Sequence, residues 1–451
     1  MKEKIRIASG QGFWGDLPNA PIDQVNKGEI DYLVLDYLAE VTMSILQSQK
    51  LKNSKRGFAY DFVDLVKIIL PTIKNKNIKI ITNAGGANVF ECANEIKKIA
   101  IENKLSLKIG IVSGDDIFPQ INEFVNQKIE FENIDTGENI SKVLNNLSSA
   151  NVYLGAKPIV ELLKCGAEII ITGRVTDAGL TLAPIMYEFN YKEDEFDKLA
   201  SGIVAGHILE CGAQSSGGNC SLNWEDIPDL ANIGFPIVEF YKDGSFLVTK
   251  HENTGGKISV ATVTEQLVYE IGDPKNYITP DCITDFTSIK IEQIKKDCVK
   301  ISEVKGLKPT DFYKISMTYK DGFRTFGTLT YSWPDALKKA KRADLIIRER
   351  TNNLNLNEIY SEFIGNNSTL GKMADNKEDY DEIMLRIGVH SSNEKSVNDF
   401  GKQIAPLVLT GPPGVTGYLG NRPKAMEVLS YWPCLIPKNL VKPRTELIEV
   451  K

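Results

Sequence analysis

The residues with most chemical potential fall in short polar, glycine-bearing segments that directly follow runs of Ile, Val and Leu. The segments are Ser9-Gly10-Gln11-Gly12, Asp36-Tyr37-Leu38-Ala39-Glu40, Asn83-Ala84-Gly85-Gly86-Ala87-Asn88, Ser113-Gly114-Asp115-Asp116 and Gly173-Arg174-Val175-Thr176-Asp177. In an open parallel sheet, ligands bind outside the carboxyl ends of the strands, so these are the segments to read for function. Arg174 offers a planar fork for a carboxylate or phosphate, and Asp177, three residues on, is an acid–base candidate. The bland alternative is an Arg–Asp pair beside a helix cap. Gly85 and Gly86, with Asn83, let a ligand approach the backbone at a helix start; a tight strand–helix turn would look the same. Gly10 and Gln11 line the first strand end. Asp36 and Glu40 share a face if the segment turns helical, where they could shift one another's pKa or hold a divalent ion; a capping Asp and a solvated Glu are the alternative.

Further along, His207 lies three residues before Glu210 in a helical pattern, a place where a histidine is more often packed than catalytic. The loop from Cys211 to Cys220 is rich in small residues. In it Gln214, Ser215 and Ser216 are candidate donors to a substrate oxyanion, and Cys220 a candidate nucleophile, although burial is the usual fate of cysteine. His251 to Lys257 is a second polar loop able to close over the same edge.

Several chemistries are disfavoured. Gly10-Gln11-Gly12 lacks the third glycine of a dinucleotide fingerprint, and there is no phosphate-loop motif. No Cys/His cluster suggests a conventional zinc site, so no metal and no cofactor is implied. The seven cysteines are irregularly spaced, which favours a reduced compartment over a disulfide framework. A net charge of −6 argues against nucleic acid or an anionic membrane surface as partner. No window approaches the roughly 18 apolar residues of a membrane span, and a cytoplasmic location is expected.

The elements that must position these residues follow from periodicity. Ile5–Ala8, Tyr32–Leu35, Ile78–Thr82, Leu107–Val112 and Glu168–Thr172 are nearly continuous apolar runs, as in strands buried on both faces. Phe58, Phe62, Leu65, Ile69 and Ile73 form a helical stripe that Pro71 is expected to interrupt or end. Strand–helix alternation predicts an α/β fold, a parallel sheet flanked by helices, over residues 1–275. A helix over 194–210 and a hairpin turning at Asp243-Gly244 complete it. Beyond Gly272-Asp273-Pro274 the strands alternate more. Residues 276–451 read as a second, α+β domain of antiparallel sheet and helices. It includes a hairpin with arms 314–319 and 324–331 and its turn at Lys320-Asp321-Gly322.

Taken together, Ser9 to Asp16, Asp36 to Met43, Asn83 to Asn88, Thr172 to Asp177 and Glu210 to Gln214 resemble, in this order, the acyclic terpene utilisation A (AtuA) family over nearly the whole chain. The resemblance implies a role in catabolism of acyclic terpenes or other branched acids, beside an acyl-CoA carboxylase. It also implies a separate small ferredoxin-like subunit as possible partner, since some members carry that piece at their C-terminus. It assigns no residue a role. The expectation is therefore an enzyme, a lyase or hydratase, acting on a small carboxylate or acyl-CoA thioester, with a homo-oligomeric assembly. Arg174 would hold the carboxylate and Asp177 or His207 would move a proton. The alternative is a non-catalytic subunit or scaffold for a partner enzyme.

Overall fold

A computed structural model describes residues 2–374, 379–416 and 422–451, apart from the side chain of Glu40. The chain folds as two compact units, Met1–Thr318 with Tyr431–Lys451, and Tyr319–Ser430.

The first unit is built on a ten-stranded mixed sheet. Its centre is parallel: β1 (Lys4–Gln11), β2 (Tyr32–Leu35), β3 (Lys79–Thr82), β4 (Leu107–Ser113) and, after β5 (Leu147–Val152) outside this sheet, β6 (Ile169–Thr172), in the order β1-β2-β3-β6-β4. All four residues of β2 and of β6 are buried, which explains why Ile, Leu and Val fill them apart from Tyr32 and Thr172. The sheet does not stay parallel, as the sequence reading had it. On the free edge of β1 lies β7 (Pro236–Tyr241), antiparallel, then β8 (Phe246–Lys250) and the pair Lys290–Lys295 and Cys298–Ser302. On the free edge of β4 lies the C-terminal strand Arg444–Val450, also antiparallel. Each open edge of the parallel core is thus covered by backbone that is distant in sequence. Of the strands after residue 275, where the sequence texture changes, Lys290–Lys295 and Cys298–Ser302 extend this same sheet, while Tyr277–Ile278, Ile283–Asp285 and Lys305–Leu307 form a separate three-stranded one.

Helices α1 (Ala20–Lys27), α2 (Glu40–Lys52), α3 (Tyr60–Lys76), α4 (Val89–Glu102), α5 (Ile121–Asn126), α6 (Lys157–Lys164), α7 (Asp177–Phe189), α8 (Phe196–Glu210) and α9 (Val260–Leu267) complete the unit. Side chains of α1, α3 and α4 form one core with Leu33, Leu35, Ile80, Ile169 and Ile171. Alternate strand residues face the other way, and there Tyr32 donates its hydroxyl to Glu188 on α7 at 2.6 Å. So α4, which follows β3, and α7, which follows β6, leave neighbouring strands for opposite faces. That divergence makes the carboxyl edge between β3 and β6 the topological place for a ligand crevice.

Two local expectations are corrected. Pro71 lies inside α3 without ending it. Pro71 and Lys67, whose carbonyl loses its usual donor, are both exposed, so water takes the place of the missing N–H. The hairpin at Lys320-Asp321-Gly322 does not form. One strand, Phe312–Ser332, runs straight through, and its second half pairs with Glu382–Ser391 in the second unit. Gly322, at φ +74°, passes so close to that partner that a Cβ would come within 2.6 Å of the Ser391 carbonyl oxygen. The second unit packs helices Ala336–Arg350 and Glu394–Gly401 on its antiparallel sheet, with Leu329, Ile347, Leu385 and Phe400 in its core. Among the described residues no helix is long and apolar enough to cross a membrane.

Candidate functional site

The crevice is built by hydrogen bonds that tie successive strand ends together. After β2, Asp36 turns its carboxylate inward, and Oδ1 accepts from the Leu38 N–H at 3.1 Å and from the Asn83 amide at 2.6 Å. The Asn83 carbonyl oxygen in turn accepts from the Tyr37 N–H at 2.7 Å. The Asp36 N–H reaches back to the Gln11 carbonyl at 3.0 Å, which links the end of β1. The Gln11 side chain donates to the Phe13 carbonyl at 2.7 Å, and Gly10 packs beneath Leu33 and Leu35. Gly85 presses on the end of β6, where a Cβ would sit 2.7 Å from the Thr172 carbonyl oxygen; Gly86 follows at φ +49° over Leu46.

After β6, Arg174 is 2% exposed. Its guanidinium donates to the Leu38 carbonyl at 2.5 Å, pairs with Asp177 at 3.3 Å and lies 4.3 Å over the Tyr153 ring. Its backbone N–H donates to Asp115 Oδ2 at 2.9 Å, and the same oxygen accepts from Asn151 at 2.9 Å. The result is a guanidinium held among the ends of β2, β4 and β6.

Burial pushes the Asp36 carboxyl up to about 6, against the pull of Arg174, Asn83 and the Leu38 N–H, and the Glu210 charge adds to the rise. Asp115 is likewise pushed up by burial to about 6. A carboxyl poised near neutrality beside a buried cation is suited to giving and taking a proton.

The remaining sequence candidates divide. Glu40 begins α2, but its side chain lies outside the described residues. The turn Gly212–Ser216 that follows α8 carries Gln214 and Ser215; Ser215 and Ser216 are fully buried, and their hydroxyls have no hydrogen-bond partner among the described residues. The backbone of Cys211 and Gly212 meets Gly12 so closely that a Cβ there would sit 2.8 Å away, which brings this turn onto the crevice wall. His207 is buried, with one ring nitrogen 2.7 Å from Glu210 and the other 3.0 Å from the Gln266 carbonyl. Cys220 donates its thiol to the Leu222 carbonyl at 3.2 Å, beside Glu265, and burial pushes that thiol up. Its contacts are with that surface loop and not with the Asp36–Arg174 cluster.

Residue-by-residue reading missed Asp115, Asn151, Tyr153 and Glu210 as site residues. Asp115 stood in a strand-end segment and Glu210 one helical turn after His207, so spacing pointed to both. Asn151 and Tyr153 arrive with β5 and its exit, which no local pattern marks.

No curated protein and no solved structure matches the chain. The sequence model of the family described as acyclic terpene utilisation family protein AtuA matches residues 5–447, and the chain belongs to that family.

Proposed function

We propose that the chain is an enzyme of acyclic terpene utilisation that adds or removes a small group, as a hydratase or lyase, at a small carboxylate or acyl-CoA thioester bound in the crevice between β3 and β6. The observation that carries this reading is Asp36, a buried carboxyl raised to about 6 at a strand end and set against Arg174. Such a group can protonate or deprotonate carbon or oxygen near neutral pH, while the fixed guanidinium stabilises negative charge developing on a substrate oxygen. Because Arg174 is turned inward onto Asp177 and Leu38, its part is to supply that field and set Asp36; the substrate's own carboxylate is not its partner.

The test is a thermal-shift screen of acyl-CoA thioesters and small dicarboxylates, followed by mass-spectrometric assay of the ligands that stabilise the protein. Conversion should fall by about 10²–10⁴-fold in Asp36→Asn, the range of general acid–base catalysis. Conversion by Asp36→Asn at the wild-type rate would remove the proposal. The alternative, a non-catalytic subunit for a partner enzyme, draws on the internal pairing of Arg174 and of His207. It would be favoured if every such ligand failed to bind while a small protein co-purified with the chain.

A further inference from the structure

The groups around His207 carry an assignment that rests on this reading of the crevice. We infer that Glu210 is the crevice's second acid–base carboxylate, and that His207 is a positioning residue whose buried ring holds Glu210 in place.

His207 Nε2 lies 3.0 Å from the Gln266 carbonyl oxygen. A carbonyl only accepts, so Nε2 carries a hydrogen. Nδ1 lies 2.7 Å from Glu210 Oε1. A neutral ring with its hydrogen on Nε2 would set a lone pair against a carboxylate oxygen at that distance. A second proton on either partner removes that repulsion; on the ring it makes the close pair an imidazolium and a carboxylate, an ion pair by distance in which Nδ1 has no well-aligned hydrogen bond among the described residues. The ring is 1% exposed and meets Tyr277 and Phe286 edge-on at 5.5 and 5.3 Å. The Gln266 amide returns a bond to the His207 carbonyl at 2.8 Å, which clamps α8 to α9. With Nε2 bonded, Nδ1 facing Glu210 and the ring enclosed, His207 has no edge left for a substrate.

Glu210 is different. It closes α8, its side chain is 14% exposed, and only Oε1 is engaged. Oε2 is buried and has no hydrogen-bond partner among the described residues. A charged oxygen left bare in this way is costly unless a ligand or water meets it. The backbone at Glu210 to Gly212 lies against Gly12, and the neighbouring Gln11 carbonyl accepts the Asp36 N–H. The Glu210 backbone thus lies at the end of β1, beside the strand end that carries Asp36, and the Glu210 charge acts on the Asp36 carboxyl.

Among the charged and titratable groups around the pair, Glu270 acts on His207, and Glu210 acts on Asp36, Cys211 and Tyr277, with Arg174 acting on Asp36 and Asp177 on Tyr277. Burial works to lower the His207 pKa, but the Glu210 charge and hydrogen bond, the Gln266 carbonyl and the Glu270 charge outweigh it and raise it overall. Asp36, raised by burial, keeps its proton toward neutrality, and Glu210, against the His207 ring, presents a bare oxygen able to accept one. Two carboxyls in such unlike surroundings can take opposite roles, one giving a proton and the other accepting one, as addition or elimination of water requires.

The experiment is a pH titration of the whole chain by NMR, with histidine ring ¹⁵N and aspartate carboxyl ¹³C labels, in wild type, Glu210→Gln and Glu210→Asp. Wild-type His207 should show two protonated ring nitrogens well above the ordinary imidazole midpoint of about 6.5. Glu210→Gln should give a neutral ring at neutral pH and shift the Asp36 midpoint downward; Glu210→Asp should restore part of both. Wild-type His207 titrating near the ordinary midpoint, or an Asp36 midpoint unmoved in Glu210→Gln, overturns the inference. The wild-type ring alone decides the imidazolium if neither variant folds. None of these readouts needs a substrate, so they separate failure of this assignment from failure of the proposed reaction.

Discussion

Asp36→Asn should change the stability of the protein in a way that depends on pH. In the native state the Asp36 carboxyl titrates at about 6, against an ordinary value of 3.8. That rise of about 2 units corresponds to about 3 kcal/mol of preference for the neutral form. A carboxyl whose folded pKa is raised binds more protons in the folded than in the unfolded chain between those two values. Its contribution is therefore fully present below about 4, is lost as pH rises through about 6, and is absent at neutrality. Asparagine keeps an oxygen for the Leu38 N–H and the Asn83 amide but cannot ionise. The stability of Asp36→Asn relative to wild type should thus rise by about 3 kcal/mol between pH of about 4 and about 7. Urea unfolding followed by tryptophan fluorescence across that range measures it. Asp115 and Asp281 also titrate at about 6, but both are present in both proteins and drop out of the difference. A stability difference that does not vary with pH would refute the claim that Asp36 is held neutral by the fold.

Other changes follow from the same geometry. Gly85→Ala sets a methyl 2.7 Å from the Thr172 carbonyl oxygen and 2.6 Å from Val89, so it should cost about 1–3 kcal/mol by urea unfolding, as overpacking does. A cost near zero would mean that the β3 and β6 ends are not in close contact. Iodoacetamide at mildly alkaline pH should modify the exposed Cys165 first and leave Cys220 slow, because burial raises that thiol; mass spectrometry of digests reads the order, and preferential labelling of Cys220 would restore it as a reactive nucleophile. Arg174→Met should destabilise by about 2 kcal/mol or more, since Asp177 and the Leu38 carbonyl lose a buried partner, and should raise the Asp36 midpoint further; unchanged unfolding and an unmoved midpoint would contradict the described pairing.

What the sequence discloses of this architecture is set by range. The parallel core was legible because strands buried on both faces must be apolar throughout, as Tyr32–Leu35 and Ile169–Thr172 are. The mixed character of the sheet was not, because the partners of β1 and β4 come from Pro236–Tyr241 and Arg444–Val450, and nothing in those local patterns names the edge they join. The Lys-Asp-Gly signal that suggests a hairpin belongs to a strand passing closely over its neighbour, where glycine serves approach and not reversal. At the site, the strand-end loops of Asp36, Asn83, Gly85 and Arg174 were visible because chain polarity places them on one edge. The inward turn of Arg174, the bond of Asp115 to its backbone, and the pairing of His207 with Glu210 are tertiary facts. Only the three-residue spacing of the last pair left a trace in the sequence.

The central claim is that ligand chemistry occurs between the ends of β3 and β6. The chain offers a separate hollow, a trough of 1070 Å³ lined by Arg6, Lys27, Lys250 and His251, while a cavity of 670 Å³ at the ends of β3 and β4 is lined by Gly86, Asn88, Asp115 and Asp116 with Lys50 and Arg444. A crystal structure with the acyl thioester or carboxylate that most raises the melting temperature discriminates among them. The expected result is the reacting end of the acyl or carboxylate group in contact with Asp36 and with the bare Glu210 oxygen. A ligand seated instead in the Arg6–His251 trough, with Asp36 and Glu210 untouched, would contradict it.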